Sequence, residues 1–272
     1  MNRLSLIIGA DICPTDCNAH LFEAGDVQSL VGNEVFNLLE SVDLRIFNLE
    51  CPLVDDESPI AKSGPHLRAK TATINGIKSL KPSLLTLANN HVYDHGELGL
   101  KSTLQVLEQN NIPFIGSGER NEIIFEQNGI KIGVCACAEH EFNIESSYFD
   151  PLETPDEIFK LKQKCDFVIA LYHGGKEHYR YPSPLLQKRF RKMAEKGANL
   201  VVAQHTHCVG CYEKYQNSTL VYGQGNFIFE GLKNEFWDNY LLIKINVSKT
   251  DFEVEYIPFS KNNDKEIGRA HV

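Results

Sequence analysis

At 272 residues, with 42% hydrophobic and 23% charged side chains, the chain has an ordinary globular composition and enough length for a substantial core. Its formal net charge of -9 argues against a general nucleic-acid or anionic-membrane binder, which would carry a basic excess, but allows a phosphorylated substrate whose charge a bound metal could meet. Eight irregularly spaced cysteines do not make a disulfide framework, so a reducing cytoplasm is expected, and no stretch reaches the ~20 apolar residues of a membrane span.

Arg3 followed by the apolar run 4–8 resembles the start of a signal peptide. The run is short, however, and meets Asp11 with no small-residue cleavage pattern, so it reads as the first strand with Asp11 just beyond it. A helix is expected over 28–41, then a strand over 44–48 that leads to Glu50. Residues 53–70, with Asp55-Asp56-Glu57, Pro59 and Gly64-Pro65, read as a long polar loop. Its length suggests a part in substrate access, with an ordinary surface loop as the alternative.

Beyond it come a helix over 73–80, a strand over 83–87 running into Asn89-Asn90-His91, a helix over 96–110 and a short strand over 113–115. Asn128-Gly129 between alternating runs at 123–127 and 130–135 is a hairpin signal. Pro155 opens a helix to 164, and Gly197 closes another that starts at 184. Strands at 166–171 and 199–203 run into His173 and into Gln204-His205-Thr206-His207. A strand at 220–222 follows, and runs at 240–247 and 252–258, with no helix between them, suggest an antiparallel closing element.

Four of these strands thus end near a residue that binds metal well: Asp11, Asn90, His173, and the pair His205 and His207. In open α/β sheets, ligands collect at the carboxyl ends of strands. Glu50 offers a second carboxylate, and two histidines two residues apart on extended chain would face the same side. Each residue alone reads as well as a hydrogen-bonded histidine, a capping aspartate or a polar turn. Jointly they point to one site built from distant segments. Cys208-Val209-Gly210-Cys211 leaves a redox or zinc protein as a minor reading, because no second pair completes a structural zinc site.

The blocks Asp11, Phe47-Asn48-Leu49-Glu50-Cys51-Pro52-Leu53, Leu87 to Gly96, Tyr172-His173-Gly174-Gly175-Lys176-Glu177, Gln204-His205-Thr206-His207 and Tyr222 to Phe229 make the chain resemble one family. This is the bacterial capsule-synthesis family (CapA-like, poly-γ-glutamate synthesis), a branch of the calcineurin-like metallophosphoesterases. The resemblance implies an α/β fold, a four-layer sandwich of two packed mixed β-sheets flanked by helices, as a single domain over 1–272. It implies a divalent-metal centre, with two ions of manganese, iron or zinc, held by Asp11, Glu50, Asn90, His173, His205 and His207. His91 would be the proton donor to the leaving group and Asp94 its orienting partner, or else a cap for the helix at Gly96. Asn48, Arg68, Glu177 and Asn226 would line the substrate side, with a tight structural turn as the equal alternative for Asn226, and Lys176 and Arg180 lie near the same blocks.

Two departures stand out. The first block reads Asp11-Ile12-Cys13 where the superfamily has Asp-x-His, and the second offers Asn48 and Glu50 where a bridging Asp follows Gly. Family members are often membrane-anchored, and this chain shows no anchor. The expected function is a metal-dependent hydrolase acting on a phosphorylated or polymer-precursor substrate in surface-polymer synthesis. The alternative is a non-catalytic, metal-containing subunit of the capsule or poly-γ-glutamate machinery.

Overall fold

Apolar strands alternate with amphipathic helices along most of the chain. The computed structural model describes residues 3–117, 120–139, 153–231, 235–261 and 267–269. Its first half contains β1 (Leu4–Cys13), α1 (Ala19–Ala24), α2 (Val27–Glu40), β2 (Leu44–Leu49), α3 (Ile74–Ser79), β3 (Leu84–Thr86), α4 (Gly96–Gln109), β4 (Phe114–Ile115), β5 (Glu122–Gln127) and β6 (Ile130–Ala138). The second half contains α5 (Thr154–Lys162), β7 (Phe167–His173), α6 (Pro184–Glu195), β8 (Leu200–Gln204), β9 (Tyr212–Tyr215), β10 (Ser218–Val221), β11 (Asn226–Phe229), β12 (Asn239–Val247), β13 (Phe252–Lys261) and β14 (Ile267–Arg269).

Two mixed sheets result. One has the order β14-β13-β12-β1-β2-β3-β4, with β11 also paired to β1, and the other has the order β5-β6-β7-β8-β10-β9. Strands β1 to β4 are mutually parallel, as are β6, β7, β8 and β10, while β5, β9 and β12 to β14 run antiparallel to their neighbours.

The face between the sheets is filled by Leu4, Leu6, Ile8, Ile46 and Ile243 from one side and Ile132, Val134, Ile169, Leu171 and Val202 from the other. The outer face of the first sheet packs on Val31, Val35, Leu100 and Leu107 of α2 and α4. The outer face of the second packs on Ile158, Leu161, Phe190 and Met193 of α5 and α6. Strands apolar on both faces are those buried between two layers, which is why the parallel strands read as continuous apolar runs. The expected four-layer α/β/β/α sandwich is the observed one.

The hairpin at Asn128-Gly129 is also present: both residues have positive φ, 56° and 75°, and Gln127 pairs with Ile130. Elements absent from the sequence reading are α1, β9, β11 and β14, all short.

The first strand differs from expectation in a way that matters. It does not stop at Ile8 but runs to Cys13, so Asp11 lies inside it. Residues Leu4–Ile8 pair with β12, whereas Asp11–Cys13 pair with β11. Against β2 the register slips between Ile8 and Asp11, where two residues of β1, Gly9 and Ala10, face one of β2, Phe47. Such a bulge bends the strand and re-aims the side chain that follows it. The carbonyls it releases are not left bare: Gln204 Nε2 donates to Gly9 O at 3.2 Å and Gln224 Nε2 to Ile8 O at 3.0 Å. Only glycine fits at position 9, because a Cβ there would sit 2.5 Å from the Phe47 ring.

Candidate metal centre

Every candidate ligand is delivered by the carboxyl end of a parallel strand. Asp11 comes from β1, Glu50 follows β2, Asn90 follows β3, His173 ends β7, and His205 and His207 follow β8. Both sheets therefore contribute from the same edge. Their donor atoms form interlocking groups: Asp11, Glu50 and His207 fall within 4.8 Å of one another, and so do Glu50, His173 and His205. All five residues are buried. Asn90 joins through Oδ1, 2.8 Å from His173 Nε2, and that same nitrogen is 3.3 Å from Glu50 Oε1.

The two histidines after β8 reach the site by another route than expected. Their backbone is not extended: His205 and His207 have φ of 85° and 52°, an uncommon conformation for residues with a Cβ. The tight segment still turns both imidazoles inward, their ring centres 5.9 Å apart.

Supporting residues fix these candidate side chains. Asn48 Nδ2 donates to Asp11 Oδ1 at 2.8 Å, and Asn226 Oδ1 accepts from His207 Nδ1 at 2.7 Å, which leaves Nε2 of His207 with its lone pair. Asn48 Oδ1 in turn accepts from Thr86 Oγ1 and Asn89 Nδ2. Asn89 pins the turn carrying Asn90 and His91, since its Oδ1 accepts the amides of His91 and Val92. The indole of Trp237 stacks on His207 and donates Nε1–H to His178 Nε2 at 2.9 Å. Asn89, Gln204 and Gln224 lie inside the motif blocks but had no role in the sequence reading, and His178 and Trp237 lay outside it; what they do depends on contacts that periodicity does not encode.

The electrostatics suit a cation. Burial, and after it the Glu50 charge, pushes Asp11 up to about 7. Burial likewise raises Glu50 to about 7. Burial lowers His173 to about 3 and holds His205 well below the usual imidazole range, with neighbouring imidazoles adding to the effect. Among the described residues, none donates a hydrogen bond to either oxygen of Glu50. Two buried carboxyls with so few donors, beside neutral imidazoles, fit a divalent ion with oxygen and nitrogen ligands, since buried charge is otherwise paired or neutralised.

Beside the ligands, His91 Nδ1 lies 2.7 Å from Asp94 Oδ2. Asp94 also accepts from Lys62 Nζ and from the Leu67 amide. Burial would raise Asp94, but these bonds outweigh it and hold the carboxyl below its ordinary range. The 53–70 loop is thereby fastened to the His91 turn, and Ile60 N to Asp94 O and Ser58 N to His95 Nδ1 add two further ties.

The remaining candidates lie as follows. Glu177 is exposed, its carboxylate 3.7 Å from His205 Nε2. Arg68 is committed within its own loop, to Asp55 O and Glu57 Oε1. Lys176 lies over Tyr179 and Arg180 over Phe236. Cys13 does not take up the missing histidine's place: it packs with Cys51 in the helix-side core. The donor groups found among the described residues include no cysteine, Cys208 and Cys211 among them.

Residues 10–231 match the family model described as bacterial capsule synthesis protein PGA_cap. Among relatives, the chain is 26% identical over 219 residues to the capsule biosynthesis protein CapA of Bacillus anthracis, covering 71% of this chain and 52% of that one. It is 27% identical over 179 residues to the PGA biosynthesis protein CapA of Bacillus subtilis, covering 61% of this chain and 47% of that one. The chain thus spans about half the length of these relatives. Among solved structures, one described as a novel phosphatase from Mycoplasma pneumoniae superposes with a TM-score of 0.61 at 13% identity, covering 96% of this chain and 94% of the other. At that identity the likeness establishes the fold, which is metallophosphoesterase-like.

Proposed function

The chain belongs to the bacterial capsule synthesis protein family PGA_cap, and from that premise we propose that it is a metal-dependent hydrolase of phosphoester type, acting on a phosphorylated or related precursor of a capsule or other surface polymer. The observation that carries the reading is the convergence of five buried donors from both sheets on one strand edge, with a buried His–Asp pair beside them. The names of the two Bacillus relatives, for capsule and PGA biosynthesis, support the polymer context, and the machinery of that synthesis is the proposed partner.

Divalent ions held by Asp11, Glu50, Asn90, His173, His205 and His207 would supply Lewis-acid polarisation of a substrate oxygen and would make water acidic enough to attack near neutral pH. The protein's own groups do the rest. Asp94, kept ionised, holds the His91 ring through Nδ1, so that Nε2 is presented to hand a proton to the leaving oxygen. Asn48 and Asn226 orient Asp11 and His207 instead of meeting the substrate. Arg68, with its guanidinium committed elsewhere, has no part in this scheme. Two sheets sharing one apolar interface support treating 1–272 as a single unit. Eight thiols, most of them buried, suit a reducing compartment such as the cytoplasm; among the described residues no helix is long and apolar enough to cross a membrane.

A second reading, a metal-holding assembly subunit without turnover, draws on Cys13, which stands where the superfamily has an imidazole and packs with Cys51 in the helix-side core. The separating experiment is hydrolysis of an aryl phosphate and of alkyl phosphoesters by manganese-loaded protein. Turnover of either class above the metal-free protein is the expected result. A fully loaded protein that hydrolyses neither belongs to the second reading.

A further inference from the structure

The donor set is uneven. The group at Glu50, His173 and His205 is supplemented by Asn90 Oδ1, whereas the amides beside the group at Asp11, Glu50 and His207, those of Asn48 and Asn226, are bonded to Asp11 and His207 themselves. Cys13, in the position where the superfamily has an imidazole, packs with Cys51 in the helix-side core. On the solvent side, however, the turn after β7 passes directly over the two imidazoles. Gly174 N donates to Gln204 O at 3.2 Å and His178 N to Thr206 O at 2.8 Å, so the turn is stitched at both ends to the segment carrying His205 and His207. Gly175, with φ of 109°, permits the tight course between them. Glu177 rides on this turn, and its carboxylate lies with the ring nitrogens of His205 and His207 in a third group whose donor atoms are all within 4.8 Å.

Building on the metal-centre reading, we propose that Glu177 is itself a ligand: with His205 and His207 it closes a solvent-facing position for a divalent cation. Imidazole and carboxylate together suit manganese, iron or zinc better than calcium or magnesium, which take oxygen ligands. Burial separates this position from the others. The histidine side chains are 4% and 7% exposed, whereas that of Glu177 is 53% exposed. A ligand in water can leave and return, so the cation it helps to hold exchanges with solvent more readily than one held by buried donors alone.

The test is equilibrium dialysis of the full chain against a range of free manganese, with bound metal measured by atomic emission, for wild type, Glu177→Gln and Glu177→Asp. Being exposed, Glu177 can be replaced without disturbing the core, and the melting temperature of the metal-free variants checks this. In Glu177→Gln the weaker part of the binding curve is expected to shift by more than about tenfold while the tighter part stays, and Glu177→Asp, which keeps the charge, to recover part of the loss. A Glu177→Gln curve superimposable on wild type overturns the assignment and leaves the buried centre standing. Wild type that binds no manganese overturns both.

Discussion

The indole of Trp237 lies against the imidazole of His207, ring centres 5.0 Å apart and planes 25° from parallel, and it is the chain's only tryptophan. The contact is held from the other side, because the indole N–H donates to His178. An intrinsic fluorophore therefore sits in contact with a proposed metal ligand.

Paramagnetic manganese at this centre is expected to quench the tryptophan emission in a saturable way, and His207→Ala to abolish the response. An emission spectrum indifferent to manganese, in protein shown by dialysis to bind it, counts against His207 as a ligand.

Asn226 fixes His207 by accepting from its Nδ1. Removing such a support generally costs ~10–100-fold in metal affinity, so Asn226→Ala is expected to weaken manganese binding by about that factor. Unchanged affinity in this variant means that the ring does not depend on Asn226 to present Nε2.

His91→Ala is expected to keep the metal and the fold while losing ~10²–10⁴-fold in turnover of alkyl phosphoesters. The loss should be smaller for an aryl phosphate, whose leaving group needs less protonation. An equal loss for both removes His91 from the proton-donor role.

The buried acids set a pH dependence for the metal-free protein. Asp11 and Glu50 rise from 3.8 and 4.5 to about 7 on folding, so they favour the folded state fully at low pH and lose that contribution as pH climbs through about 7. His173 falls from 6.5 to about 3, so its contribution is present above 6.5 and is lost as pH drops towards 3. Between the carboxyl and imidazole ranges the two effects oppose each other; above 6.5 the acids act alone. Metal-free protein is thus expected to melt lower at about pH 8 than at about pH 6, and added manganese, which favours the ionised carboxylates, to raise the melting temperature more at the higher pH. Equal gains at both pH values exclude coupling of these carboxyls to the metal.

Gln224 spans the bulge in β1, donating to the carbonyls of Ile8 and Leu241. Replacing it with leucine removes the donor for both buried carbonyls, at a cost of about 1–3 kcal/mol, measurable as a lower denaturation midpoint.

The layers were legible in the sequence because strands buried on both faces are continuous apolar runs and the helices carry their own start and stop residues. The convergence of the candidate residues was legible for a related reason, that residues at strand ends share an edge whatever their separation in the chain. Less visible was what depends on backbone irregularity. Asp11 reads as lying beyond a strand because the run stops at Ile8, yet the bulge carries β1 onward and pairs it with β11. The left-handed turn at His205 and His207 breaks the alternation rule while reaching the same end. Lys62, in a loop with no periodic pattern, gave no sign that it would reach Asp94.

The central claim is a divalent-metal centre at the common edge of the two sheets, and anomalous diffraction from manganese-soaked crystals, recorded on both sides of the metal's absorption edge, tests it most directly. Two anomalous peaks are expected in the space enclosed by Asp11, Glu50, Asn90, His173, His205 and His207. A crystal soaked at saturating manganese with no peak there, or with its peaks elsewhere on the molecule, would contradict it.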